Sequence, residues 1–79
     1  MKTKTEITYF INYGQTSRHL MEDKVCFTLK EANDFIDKLP SYRAFRLIRR
    51  EEIFERISHG KYKLNPITSI DKILKEKII

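Results

Sequence analysis

Residues 28–50 read TLKEANDFIDKLPSYRAFRLIRR, and the change of apolar period inside this stretch decides the fold class. Thr28-Leu29-Lys30-Glu31 has the form of a capping box: the Thr hydroxyl can accept from the amide three residues on, while the Glu reaches back to the Thr28 amide. Ala32, Phe35, Ile36 and Leu39 then recur at i, i+3, i+4 and i+7, with Lys30, Asn33, Asp34, Asp37 and Lys38 on the opposite side. Pro40 cannot continue the i→i−4 ladder, so the spacing predicts a helix that ends at about Leu39. Past the proline the period drops to two. Phe45 and Leu47 alternate with Tyr42, Ala44, Arg46 and Ile48, which predicts a strand over 42–50.

Upstream, Ile7, Tyr9, Ile11 and Tyr13 alternate with Thr8, Phe10 and Asn12, a strand over 5–13. Gly14 offers a turn with positive φ. Residues 15–23 are a polar connection, and 24–28 read as a second strand with Val25 and Phe27 inward and Cys26 outward. The third strand can then lie beside the first, antiparallel to it and parallel to the second, which satisfies the right-handed crossover preference. The expected fold is α+β: a ββαβ core over 1–64, sheet order 2-1-3, with one helix covering Ile7, Tyr9, Ile11, Val25, Phe27, Phe45 and Leu47.

Downstream, 49–57 fits either a continuing or bent strand or a helix closed by Gly60, and the strand is the reading taken. Asn65-Pro66 marks a break. Residues 69–79 read as a short amphipathic helix capped by Thr68 or Ser69, with Ile70, Ile73, Leu74 and Ile78 as its stripe. So short a helix is marginal alone, so the 65–79 segment is expected to dock in cis or at an interface.

Seventy-nine residues make one small domain. A hydrophobic fraction of 41%, including eleven Ile, five Phe and four Tyr, is enough for a core and excludes a disordered chain. The net charge is +5. Residues 1–40 carry six basic and six acidic side chains, whereas 41–79 carry ten and five, so the whole excess follows Pro40. Cys26 is the lone cysteine, which excludes an intramolecular disulfide and suits a reducing, cytoplasmic compartment. Met1-Lys2-Thr3-Lys4 is followed by no apolar h-region, and the longest apolar runs are three residues, such as Tyr9-Phe10-Ile11. Neither a signal peptide nor a membrane span is expected.

With Gly14 and Gly60 the only glycines, no glycine-rich phosphate loop can form. His19, Cys26 and His59 stand too far apart in sequence for a zinc site, so no metal and no cofactor is expected. Cys26 with His19 lacks a third, orienting group, Ser58-His59 are sequence neighbours, and Glu51-Glu52 point to opposite faces of a strand. No catalytic residue is assigned, and the chain is read as non-enzymatic.

The positive signal is basic: Arg43, Arg46, Arg49, Arg50, Arg56, Lys61 and Lys63 form the candidate site for nucleic acid or a nucleotide, since the guanidinium fork suits phosphate. Strand parity divides them. Arg46 and Arg50 share the face opposite the helix with Tyr42 and with Phe10 of the first strand, an aromatic and cationic platform. The competing reading pairs these arginines with Glu51, Glu52 and Glu55. A second candidate is an interface made of Phe10, Tyr42 and Ile48 on the uncovered sheet face, joined by Ile73 and Leu74 of the terminal helix. It would be covered by that helix, by a second copy in a homodimer, or by a host protein. The texture of the chain, short and rich in Ile and Lys with one Val, resembles the accessory proteins of phages and mobile elements. The resulting expectation is a small binding or regulatory protein for an anionic partner, with a protein–protein inhibitor or adaptor as the alternative.

Overall fold

The computed structural model describes residues 2–78. They form an α+β fold of five strands and a single helix: β1 (Thr3–Gly14), β2 (Glu22–Cys26), α1 (Leu29–Lys38), β3 (Ala44–Ser58), β4 (Lys61–Tyr62) and β5 (Thr68–Lys77). Every paired strand is antiparallel. β1 lies between β2 and β3 as expected, and the far edge of β3 is shared by β4 near its end and β5 over residues 45–53.

The helix forms as its sequence dictates. The Thr28 hydroxyl accepts from the Glu31 amide at 3.1 Å, and Leu39 is the C-cap just before Pro40. Glu31 reaches back one residue further than expected, accepting from the Phe27 amide at 3.3 Å. Its apolar stripe meets the sheet in a core of Ile11, Cys26, Ala32, Ile36, Phe45 and Leu47, flanked by Tyr9, Tyr13, Phe35 and Leu39. Tyr13 and Phe35 meet edge to face at 5.2 Å. Each aliphatic side chain buried this way contributes about 1.5–3 kcal/mol.

The core is confined to one end for a geometric reason. Ten helical residues span about 15 Å at ~1.5 Å each, whereas the molecule is 48 Å long. One helix cannot roof such a sheet, and Ile7, expected beneath it, is 38% exposed.

Four expectations are corrected. Residues 68–77 form a strand, not a helix, and Ile79, the last residue of the expected helix, lies outside the described residues. The spacing of Ile70, Ile73 and Leu74 imitates a helical stripe, but a bulge at Leu74 inserts one residue between the Ile48↔Ile73 and Leu47↔Lys75 pairs, so the same residues fit a ladder. The unsatisfied backbone edge of β3 supplies the partner that a marginal helix lacks. In β2 the inward residue is Cys26, fully buried, while Val25 and Phe27 are exposed. The Tyr9↔Cys26 register puts Cys26 on the face of Tyr9 and Ile11. Gly14 is needed for close approach rather than for positive φ: a Cβ there would stand 2.0 Å from the His19 carbonyl oxygen. Positive φ is found instead at Gly60, 76°, which closes the β3–β4 hairpin where the alternative reading would have ended a helix. Finally, the third strand begins at Ala44, leaving Tyr42 in the connection from the helix.

Candidate functional site

Because cross-strand partners share a face, the strand register defines the open side of the sheet, the side away from α1. One row across it is Val25, Phe10, Ile48 and Ile73, an apolar line through all four strands β2-β1-β3-β5. On one side of that row lie Thr8, Arg50 and Asp71, and on the other Asn12, Arg46 and Glu76. In these rows β3 lends two cations, β5 two anions and β2 a third carboxylate, Asp23 opposite Asn12, with Glu52 of β3 one row further on the same face.

The pairs are formed. Arg50 donates to Asp71 in a two-pronged contact, Nε to Oδ1 at 2.8 Å and Nη2 to Oδ2 at 3.0 Å. Its guanidinium also lies 4.4 Å above the centre of the Phe10 ring. The hydrogen bond from Arg50 holds the Asp71 carboxyl below its ordinary pKa and raises that of the arginine. Arg46 Nε lies 3.4 Å from Glu76 Oε2, yet that nitrogen is shielded from solvent and makes no hydrogen bond, so this pair is less complete.

The other expected anion-binding residues are dispersed. Arg43 pairs loosely with Glu22 at 3.7 Å and lies over the Tyr42 ring at 5.8 Å. Lys63 pairs with Glu55 at 3.3 Å, whereas among the described residues no arginine forms an ion pair with Glu51, Glu52 or Glu55. Arg56 donates to the Ser58 carbonyl and its Nη2 lies 2.7 Å from His59 Nδ1. Lys61 is exposed in β4. Arg49 is on the helix side, opposite Tyr9 and Lys72. Of the expected interface residues, Phe10, Ile48 and Ile73 share the apolar row, Leu74 occupies the bulge, and Tyr42 stands apart, 66% exposed.

Sequence reasoning missed Asp71 and Glu76, the carboxylates that hold the open-face arginines, and it placed Val25 in the core. The signal that could have found them is the strand period of 68–77, with β-branched Thr68, Ile70 and Ile73.

The loop over 15–21 forms a recess of about 580 Å³ lined by Gly14, Gln15, Thr16, His19, Met21, Glu22 and Arg43. Cys26 is absent from its lining, buried in the helix–sheet core, where burial pushes its thiol pKa up. His19 and Cys26 are therefore not brought together. Among the described residues no group of three or more His, Cys, Asp or Glu is placed to hold a metal ion, and no helix is long and apolar enough to cross a membrane. No family model matches the chain, and neither a curated protein nor a solved structure matches it.

Proposed function

We propose that this chain is a non-enzymatic adaptor or inhibitor that docks another protein on its open sheet face. The observation that carries this reading is the apolar row Val25–Phe10–Ile48–Ile73, which crosses the sheet on the side away from α1. A solvated face of an antiparallel sheet is ordinarily polar; here Val25 and Ile73 are 44% and 53% exposed. The arginines beside the row favour a protein over a polyanion, because Asp71 and Glu76 already neutralise them. The partner surface is accordingly apolar at its centre. Stacking beneath Arg50, itself clamped by Asp71, holds the Phe10 ring in place before binding, which lowers the entropy lost on docking.

The test is a pair of variants on one row, Ile48→Asp and Ile73→Asp, compared with Lys72→Glu on the opposite face. A partner captured from lysate by the native chain and by Lys72→Glu, and lost with both row variants, supports the reading. A partner retained by Ile48→Asp overturns it, and so does a doubled solution mass of the chain alone that reverts with Ile48→Asp, since a second copy would then be the occupant.

A further inference from the structure

Four cations of the β3/β5 pair that take no part in an ion pair among the described residues are on the other side of the sheet. Arg49 is directly opposite Lys72, Leu47 opposite Lys75, and Phe45 opposite Lys77, so all four basic side chains lie on the helix side of the β3/β5 pair. Among the described residues Arg49, Lys72 and Lys75 make no ion pair, and Lys77 donates to the Ser41 carbonyl. Glu51 is the one carboxylate in the neighbouring row, opposite Ile70, which leaves the strip at about +3. Like charges placed directly opposite on a sheet repel. The Arg49/Lys72 pair therefore holds a repulsion that a bound anion would relieve.

We propose that this strip binds single-stranded nucleic acid along its backbone. Same-face side chains on a strand recur at roughly 6.6 Å, a period that suits successive phosphates of an extended strand, and Lys75 and Lys77 stand at that interval. Beside the end of the strip at Lys77 is Tyr42, 66% exposed and adjacent in sequence to the Ser41 that Lys77 contacts. It is available to stack on a base, with Arg43 over its ring. The shape of the surroundings selects a single strand. The helix packs on β1 and β2 and stands beside the strip as a wall about 10 Å high. A planar bilayer or a duplex resting on that wall would be held away from the strip, while a single strand can lie in the angle between helix and sheet. This site shares no residue with the proposed protein-docking row, so the two proposals stand or fall separately.

Fluorescence anisotropy of a labelled oligo-dT and of the matching oligo-U tests it. Four cations contribute a log–log salt slope of about −2.8, at ~0.7 per neutralised phosphate on a single strand. Affinity should fall about fifty-fold between about 50 and about 200 mM salt. In Lys72→Gln/Lys75→Gln two charges remain, so the slope halves and the same salt change costs only about seven-fold. Tyr42→Ala weakens binding by about five- to a hundred-fold with the slope unchanged. Arg50→Gln leaves both unchanged. The proposal is overturned by absence of binding at low salt, by an unaltered slope in the double variant, by equal weakening with Arg50→Gln, or by tighter binding to a duplex of the same sequence or to phosphatidylserine vesicles.

Discussion

Leu47 and Ile48 are neighbours in one strand with opposite orientations, and the difference between truncating them measures whether the open face is open in solution. Leu47 is 1% exposed in the helix–sheet core, while Ile48 is half-buried in the open row. Leu47→Ala removes a fully buried side chain and leaves a void, for about 3 kcal/mol within the ~2–5 range of such changes. Ile48→Ala removes a side chain that keeps part of its surface in water and leaves no enclosed void, for about 1 kcal/mol. A chain of 79 residues has about 4–12 kcal/mol of total stability at ~0.05–0.15 per residue. The first variant thus loses a large fraction of the total and drops in Tm by about 12–24 °C, the second by about 4–8 °C. Urea titration and thermal melts followed by circular dichroism, each at two protein concentrations, read both values. Equal losses at the two positions would refute the reasoning, because Ile48 would then be as enclosed as Leu47. A loss at Ile48 that grows with protein concentration would identify a second copy as the cover.

Three further outcomes follow from particular contacts. Gly14→Ala drives a Cβ to 2.0 Å from the His19 carbonyl oxygen, so stability falls by about 1–3 kcal/mol and exchange of the His19 amide, bonded to Thr16 O at 3.0 Å, accelerates; unchanged values of both would remove the close approach. Cys26 is fully buried with its thiol pKa raised, so a thiol reagent at neutral pH modifies the native protein far more slowly than the urea-unfolded chain, and equal rates would contradict the inward orientation of β2. The folded-state pKa of Asp71 is depressed, so its pairing with Arg50 stabilises the fold above the ordinary carboxylate pKa and is lost as pH falls through the lower folded value. With side chains 37% and 45% exposed the pair is worth under about 1 kcal/mol. Asp71→Asn is therefore slightly destabilising at neutral pH and indistinguishable from the native chain in strong acid; a deficit that persists in acid would assign its effect to something other than charge.

The amino-acid pattern made the α+β class, the helix and the first three strands legible because local and long-range signals agree there, whereas β4 and β5 were not read as strands. Thr28, the 32/35/36/39 stripe and Pro40 bound the helix without help from tertiary contacts, and the alternation in 5–13 and 42–50 is strict enough to define faces. Orientation failed in β2 because a five-residue strand offers only two or three positions per face, and the choice between Cys26 and Val25 plus Phe27 is made by pairing with Tyr9 rather than by hydrophobicity. Gly14 was legible as a special position but not for the right cause, since a turn glycine and a close-approach glycine look alike in sequence. The candidate site was legible by half. Phe10 and Ile48 follow from parity alone, whereas the partners of Arg46 and Arg50 depend on which edge 68–77 joins.

That last point governs where the charge of this protein acts. In a helix over 68–77, Asp71 and Lys75 would be four residues apart on one surface, as would Lys72 and Glu76, and each pair would cancel locally. In a strand of period two the same residues are sorted by sign. Asp71 and Glu76 go to the open face, where they neutralise Arg50 and Arg46, and Lys72, Lys75 and Lys77 go to the helix side. The bulge at Leu74 completes the sorting: without its extra residue, Lys75 would follow Ile73 onto the open face and Glu76 would fall beside Lys72. One strand thus discharges the face that carries the apolar row and charges the face that does not. Two members of the arginine-rich stretch, Arg46 and Arg50, thus pair with β5, while, among the described residues, Lys72 and Lys75, which a helix would have set beside Glu76 and Asp71, are left unpaired on the helix side.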